Sequence, residues 1–145
     1  MHQKFKEIPE SNDLSVLDEF SSKYGIITEE SARMAAEKSP MLLARLIRSI
    51  KDEETRAILL EALSFSEDES LCDMLILYLD SGSERVRLAV VTALHSYAED
   101  SESLADRVIF PALRELLQRE ESVEIKIAIS SALECNTFYF DPPLS

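Results

Sequence analysis

The sequence predicts an all-α protein, a stack of about four helical hairpins, and three observations point there. Apolar residues recur at helical spacing from Leu14 to Leu133, with short polar side chains where the runs begin. Only two glycines, Gly25 and Gly82, occur in 145 residues, too few for a fold of many tight turns and strand bulges. Three of the helices also share an internal pattern, the mark of a repeat.

A polar leader over residues 1–12 precedes the first helix, where Leu14, Val16, Leu17, Phe20 and Tyr24 lead to a stop at Gly25. Thr28 caps an Ala-rich second helix, with Ile27 placed to staple onto Ala32. Ser39-Pro40 starts a third, a capping hydroxyl followed by proline at the first helical position. Asp52-Glu53-Glu54 opens a fourth with carboxylates at the positive end of its dipole, and Ile58, Leu59, Ala62 and Leu63 form its inner face. Ser66-Glu67-Asp68-Glu69 opens a fifth carrying Leu71, Met74, Leu75, Tyr78 and Leu79. After the turn Asp80-Ser81-Gly82, Ser83 caps a sixth with Val86, Ala89, Val90, Ala93, Leu94 and Tyr97. Ser101 or Ser103 starts a seventh, which Pro111 should kink or restart, and Ser122 starts an eighth.

The fourth, sixth and eighth helices align. Arg56-Ala57-Ile58-Leu59-Leu60-Glu61-Ala62-Leu63 matches Arg87-Leu88-Ala89-Val90-Val91-Thr92-Ala93-Leu94 and Lys126-Ile127-Ala128-Ile129-Ser130-Ser131-Ala132-Leu133. A cation leads, an apolar pair follows, and Ala-Leu closes each block, at a period of about 30–40 residues typical of stacked helix pairs. The fixed alanine admits a close neighbour while leucine fills the gap beside it. Over residues 40–135 the pattern resembles the HEAT repeat family in its shorter, HEAT-like form, through Pro111 in Phe110-Pro111-Ala112-Leu113, the turn residue Asp80 and the pair Val86-Arg87. The match is weaker around Thr55-Arg56 and Ile125-Lys126, and the first hairpin fits only as a degenerate cap. The resemblance implies a right-handed superhelix over 13–138, with residues 139–145 as a tail. It also implies that the second helix of each hairpin faces the concave, binding side.

Acidic residues number 28 against 15 basic, a net charge of −13, and no segment is basic. Phosphate neutralisation needs the opposite sign, so nucleic acid and anionic membranes are poor partners. The same sign sets this chain apart from the HEAT-like DNA glycosylases, which hold DNA on a basic face. A cationic protein would be drawn in, although acidity also serves solubility. No apolar run reaches a membrane span or a signal segment, and two widely separated cysteines do not make a disulfide framework, so the cytoplasm is expected.

Nothing in the residues spells out catalysis. A phosphate loop needs more glycine, and two histidines, His2 and His95, with Cys72 and Cys135 lack the spacing of a zinc site. Glu67-Asp68-Glu69 with Asp73 lacks the central glycine of a calcium loop and reads as a helix start. Asp73 and Glu134 beside the cysteines oppose thiolate formation. No cofactor and no enzyme activity are expected.

Counting about 100° per residue from the Ala-Leu pair identifies the columns that face away from the core. They hold Glu54, Arg85 and Glu124; Glu61, Thr92 and Ser131; Ser64, His95 and Glu134; and Asp68 and Glu99. This is a mostly acidic row, either a binding face or an ordinary solvated one. A further column, Ala57, Leu88 and Ile127, is apolar and either docks a partner or packs between hairpins. The end segment Phe138-Tyr139-Phe140-Asp141-Pro142-Pro143 either seals the array or forms a docking tail.

Three functions fit. The first is a protein-interaction module, in its sharper form an acidic inhibitor or immunity-type protein covering a cationic surface such as a nuclease toxin's active site. The second is an adaptor or assembly factor that takes an apolar helix along Leu88 and Ile127. The third, implied by the resemblance alone, is an accessory subunit of a lyase, since some HEAT-like proteins help attach bilins to cysteines.

Overall fold

Short polar side chains set most helix starts in the computed structural model, which describes residues 15–137 except the side chains of 135–137. The expectations for the leader, His2, Leu14, the Cys135 side chain and the aromatic tail fall outside those residues. Helix α1 spans 15–24 and ends at Gly25, whose φ of 85° is the left-handed conformation that favours glycine. The Gly25 N–H donates to Ser21 O at 2.9 Å and closes the last turn. α2 (Glu29–Lys38) opens on a reciprocal cap: Thr28 Oγ1 accepts from the Ser31 N–H, and Ser31 Oγ accepts from the Thr28 N–H.

α3 (Pro40–Ser49) carries proline at its start, as expected, but the Ser39 hydroxyl does not cap it. That hydroxyl bonds the Tyr24 hydroxyl at 2.7 Å and ties the end of α1 to the start of α3. A tertiary partner has displaced the local one, with the Ser39 backbone at ψ 60° rather than in extended cap geometry. α4 (Glu53–Ala62) is capped by Asp52, whose carboxylate accepts from the Thr55 hydroxyl at 2.7 Å and its N–H at 2.9 Å. Those two bonds hold the Asp52 carboxyl below its ordinary range. The chain then tightens into a 3-10 turn, Leu63–Phe65.

These helices form the first of two compact units, which ends at Asp68. α2 packs on α3 and α4 through alanines. Ala32, Ala35 and Ala36 are at most 1% exposed, and the large side chains of Phe20, Leu43, Leu46, Ile47, Leu59 and Leu60 close around them. The expected inner face of α4 is rotated. Leu59, Ala62 and Leu63 are inside, yet Ile58 is only half-buried while Ala57 and Leu60 are fully buried. Burial on two flanks of α4 moves the centre of its apolar arc.

The second unit begins at Glu69. Its first helix is shorter than Ser66 implied, because Ser66 Oγ accepts from the Asp68 N–H and makes a local turn. A 3-10 turn, Glu69–Leu71, leads into α5 (Cys72–Leu77) and a second 3-10 turn, Tyr78–Asp80. α6 (Glu84–Asp100) is capped by Ser83 Oγ on the Val86 N–H at 3.1 Å. α7 has three parts: Glu102–Leu104, capped by Ser101; a π-turn, Ala105–Ile109; and Phe110–Arg119. α8 is Val123–Thr137, with Ser122 Oγ accepting from the Ile125 N–H.

The π-turn has a local cause. Pro111 has no N–H, so the carbonyl one turn before it loses its helical donor. The Phe110 N–H donates to Ala105 O, five residues back, and the helix restarts with Pro111 in its first turn. α6 packs against α5, α7 and α8, with Ala89, Val90, Val91, Ala93 and Leu94 all fully enclosed. Among the described residues there is no strand.

Candidate functional site

On α6 only a narrow stripe reaches solvent, and the expected surface residues occupy it. Arg85, Leu88 and His95 are half-buried, while Thr92 and Glu99 are exposed. On α8, which packs against α6, Glu124, Ser131 and Glu134 are exposed. In the first unit, α4 presents an exposed Glu54 and a half-buried Glu61. None of the ten is buried. The stripe is held lightly: Thr92 Oγ1 donates to Leu88 O at 3.0 Å, and His95 Nε2 lies 3.4 Å from Glu99 Oε2 one turn on.

The apolar column divides. Ala57 is fully buried, Leu88 is half-buried, and Ile127 is 62% exposed. Val123, one turn before Ile127, is exposed as well.

Sequence reasoning missed the strongest electrostatic feature of the second unit. Arg87 Nε and Nη2 each donate to Glu120 at 2.9 Å, and Nη1 donates to Ser81 O at 2.9 Å. The Glu120 side chain is only 2% exposed, yet its Oε2 also accepts from the Ser122 N–H. The Arg87 guanidinium holds the Glu120 carboxyl below the usual range, and Glu120 in turn raises Arg87. Beside this pair Arg119 meets Asp80 at 2.6 Å. A cavity of about 280 Å³ lies between them, lined also by Leu79, Leu116 and Glu121. Both arginines there are already engaged, so the cluster works as a clamp joining the α5–α6 turn to the α7–α8 turn.

The signal for the clamp was the cation that leads each repeat block. Arg56 in the first unit donates to Ile47 O and Ile50 O, and Arg87 donates to Ser81 O. Each guanidinium satisfies carbonyls at the end of the preceding helix, where the dipole favours a cation.

Cys72 is buried, and burial, with Glu69 and Asp73 nearby, pushes its thiol up to about 12. It packs as a small apolar residue. Alkylation by iodoacetamide at mildly alkaline pH, in a Cys135→Ser chain, should therefore run at least about a hundredfold slower than in denaturing urea. Equal rates would show that the thiol is open.

Among the described residues no cluster of His, Cys, Asp or Glu is placed to hold a metal ion, and no helix is long and apolar enough to cross a membrane. Comparison with family models, curated proteins and solved structures finds no significant match to this chain.

Proposed function

We propose that this protein is a non-catalytic protein-binding module acting in the cytoplasm, a short HEAT-like solenoid whose acidic second-helix surface covers a cationic face of its partner. The observation that carries the reading is the α6 stripe. Leu88, Thr92, His95 and Glu99 form a surface stripe on a helix whose other faces pack against its neighbours, and Glu124 and Glu134 add charge on α8. Carboxylates on such a face raise the encounter rate with a basic partner and reject anionic ones. An inhibitor of immunity type, masking a basic active site, is the sharpest form of this reading.

Reversing Glu99, Glu124 and Glu134 together to Lys tests it. All three are exposed, so stability should move by no more than about 0.5 kcal/mol for each change. A partner captured by affinity purification should bind the variant at least about tenfold more weakly. Unchanged affinity would remove the acidic row from the interface.

A second reading, an adaptor that holds an apolar helix, is favoured by Val123 and Ile127, which lie exposed one turn apart on α8. Under it, Leu88→Asp abolishes binding and leaves the helical circular dichroism intact. If that substitution unfolds the protein, Leu88 belongs to the core.

A further inference from the structure

In the first unit, α2 and the 3-10 turn Leu63–Phe65 enclose an open groove of about 580 Å³, lined by Glu29, Glu30, Arg33, Met34, Glu37 and Phe65. Its floor is apolar and partly open to solvent: Phe65 is 49% exposed and Met34 is 40% exposed. Its rim is acidic. Glu29 and Glu30, at the start of α2, have no ion-pair partner among the described residues, and Glu37 lies 3.7 Å from Arg33. The Arg33 guanidinium rests 4.8 Å from the centre of the Phe65 ring, so that aromatic face already accepts a planar cation.

We infer that this groove docks a basic peptide segment of a partner protein, one that seats an aliphatic or aromatic side chain on Met34 and Phe65 and places Lys or Arg against Glu29, Glu30 and Glu37. Charge complementarity selects that occupant. Three carboxylates against one arginine repel nucleic acid and anionic lipid, and attract a cationic chain. Met34 supplies an adaptable surface that fits side chains of differing shape. An incoming guanidinium can replace Arg33 on the Phe65 ring while Arg33 keeps its existing pair with Glu37. The groove shares no residue with the α6–α8 row, so the two surfaces stand or fall separately.

The probe is a displayed library of random peptides, selected on the full chain and counter-selected on two variants. Phe65→Ser removes the apolar floor, and Glu29→Lys with Glu30→Lys inverts the rim at two exposed positions. The expected result is enrichment of peptides that combine Lys or Arg with Leu, Met or Phe. Their synthetic forms should lose at least about tenfold in affinity on each variant, which corresponds to about 1.4 kcal/mol. Should Phe65→Ser unfold, the rim variant carries the test alone. No enrichment, enrichment of acidic peptides, or equal affinity for the rim variant would overturn the assignment, as would binding of anionic vesicles or single-stranded DNA that the rim glutamates do not oppose.

Discussion

Arg87→Met should destabilise the protein by about 3–5 kcal/mol at neutral pH, because it leaves the enclosed Glu120 carboxylate without its cation. The magnitude follows from burial. A carboxylate whose side chain is 2% exposed keeps only backbone donors in the variant, the Ser122 and Glu121 N–H groups, and loses two charge-assisted bonds. The pH dependence carries a definite sign. In the wild type the folded carboxyl is held below its ordinary value of about 4.3, so its contribution is present above that value and fades as pH falls through the depressed one. In the variant, burial without the guanidinium raises the carboxyl, so it protonates readily and the penalty shrinks on acidification. Urea unfolding at neutral pH and near pH 4 measures both effects. A gap between wild type and variant that narrows at acid pH is expected, whereas a gap below about 1 kcal/mol at neutral pH would show that the clamp is dispensable.

Val91→Asp should cost more than about 4 kcal/mol or prevent folding, while Thr92→Asp, at the next residue, should stay within about 0.5 kcal/mol. Val91 is fully enclosed, and an aspartate there would be a buried carboxylate with no partner. Thr92 faces solvent on the α6 stripe and gives up only a hydroxyl bond to Leu88 O. Thermal unfolding of the two variants therefore locates the edge of the free surface to within one residue. Similar losses at both positions would mean that the stripe is packed against something.

What could be read from the residues alone was local. Gly25, Thr28, Asp52, Ser83, Ser101 and Ser122 each act on a neighbour within one turn, so their types and spacing announce the helix ends. Pro111 is similar, since its missing N–H reorganises only the turn before it. Ser39 shows the limit. Its place before Pro40 signals a cap, but Tyr24 competes for the same hydroxyl from α1. Glu120 shows it more sharply. In the sequence it is one carboxylate among 28, and only the approach of α6 to the end of α7 turns it into the buried half of an ion pair.

The surface row was legible for a related reason. Helical periodicity reports which residues face away from the core, and none of the eleven residues of the expected row is buried. Periodicity does not report how many neighbours flank a helix. Ala57 is enclosed and Ile127 exposed, although the two share one column. Nor does it register the groove at Met34 and Phe65, which joins a helix to a 3-10 turn distant in the chain.

The salt dependence of partner binding is the most direct measure of whether acidic helix faces are what this protein uses. With the partner captured from the source organism, the dissociation constant is measured across a range of sodium chloride concentrations for the wild type and the Glu99, Glu124, Glu134 reversal. Affinity should fall steeply with salt in the wild type and be already weak, and nearly flat, in the variant. A complex that is tight and indifferent to salt in both proteins would contradict it.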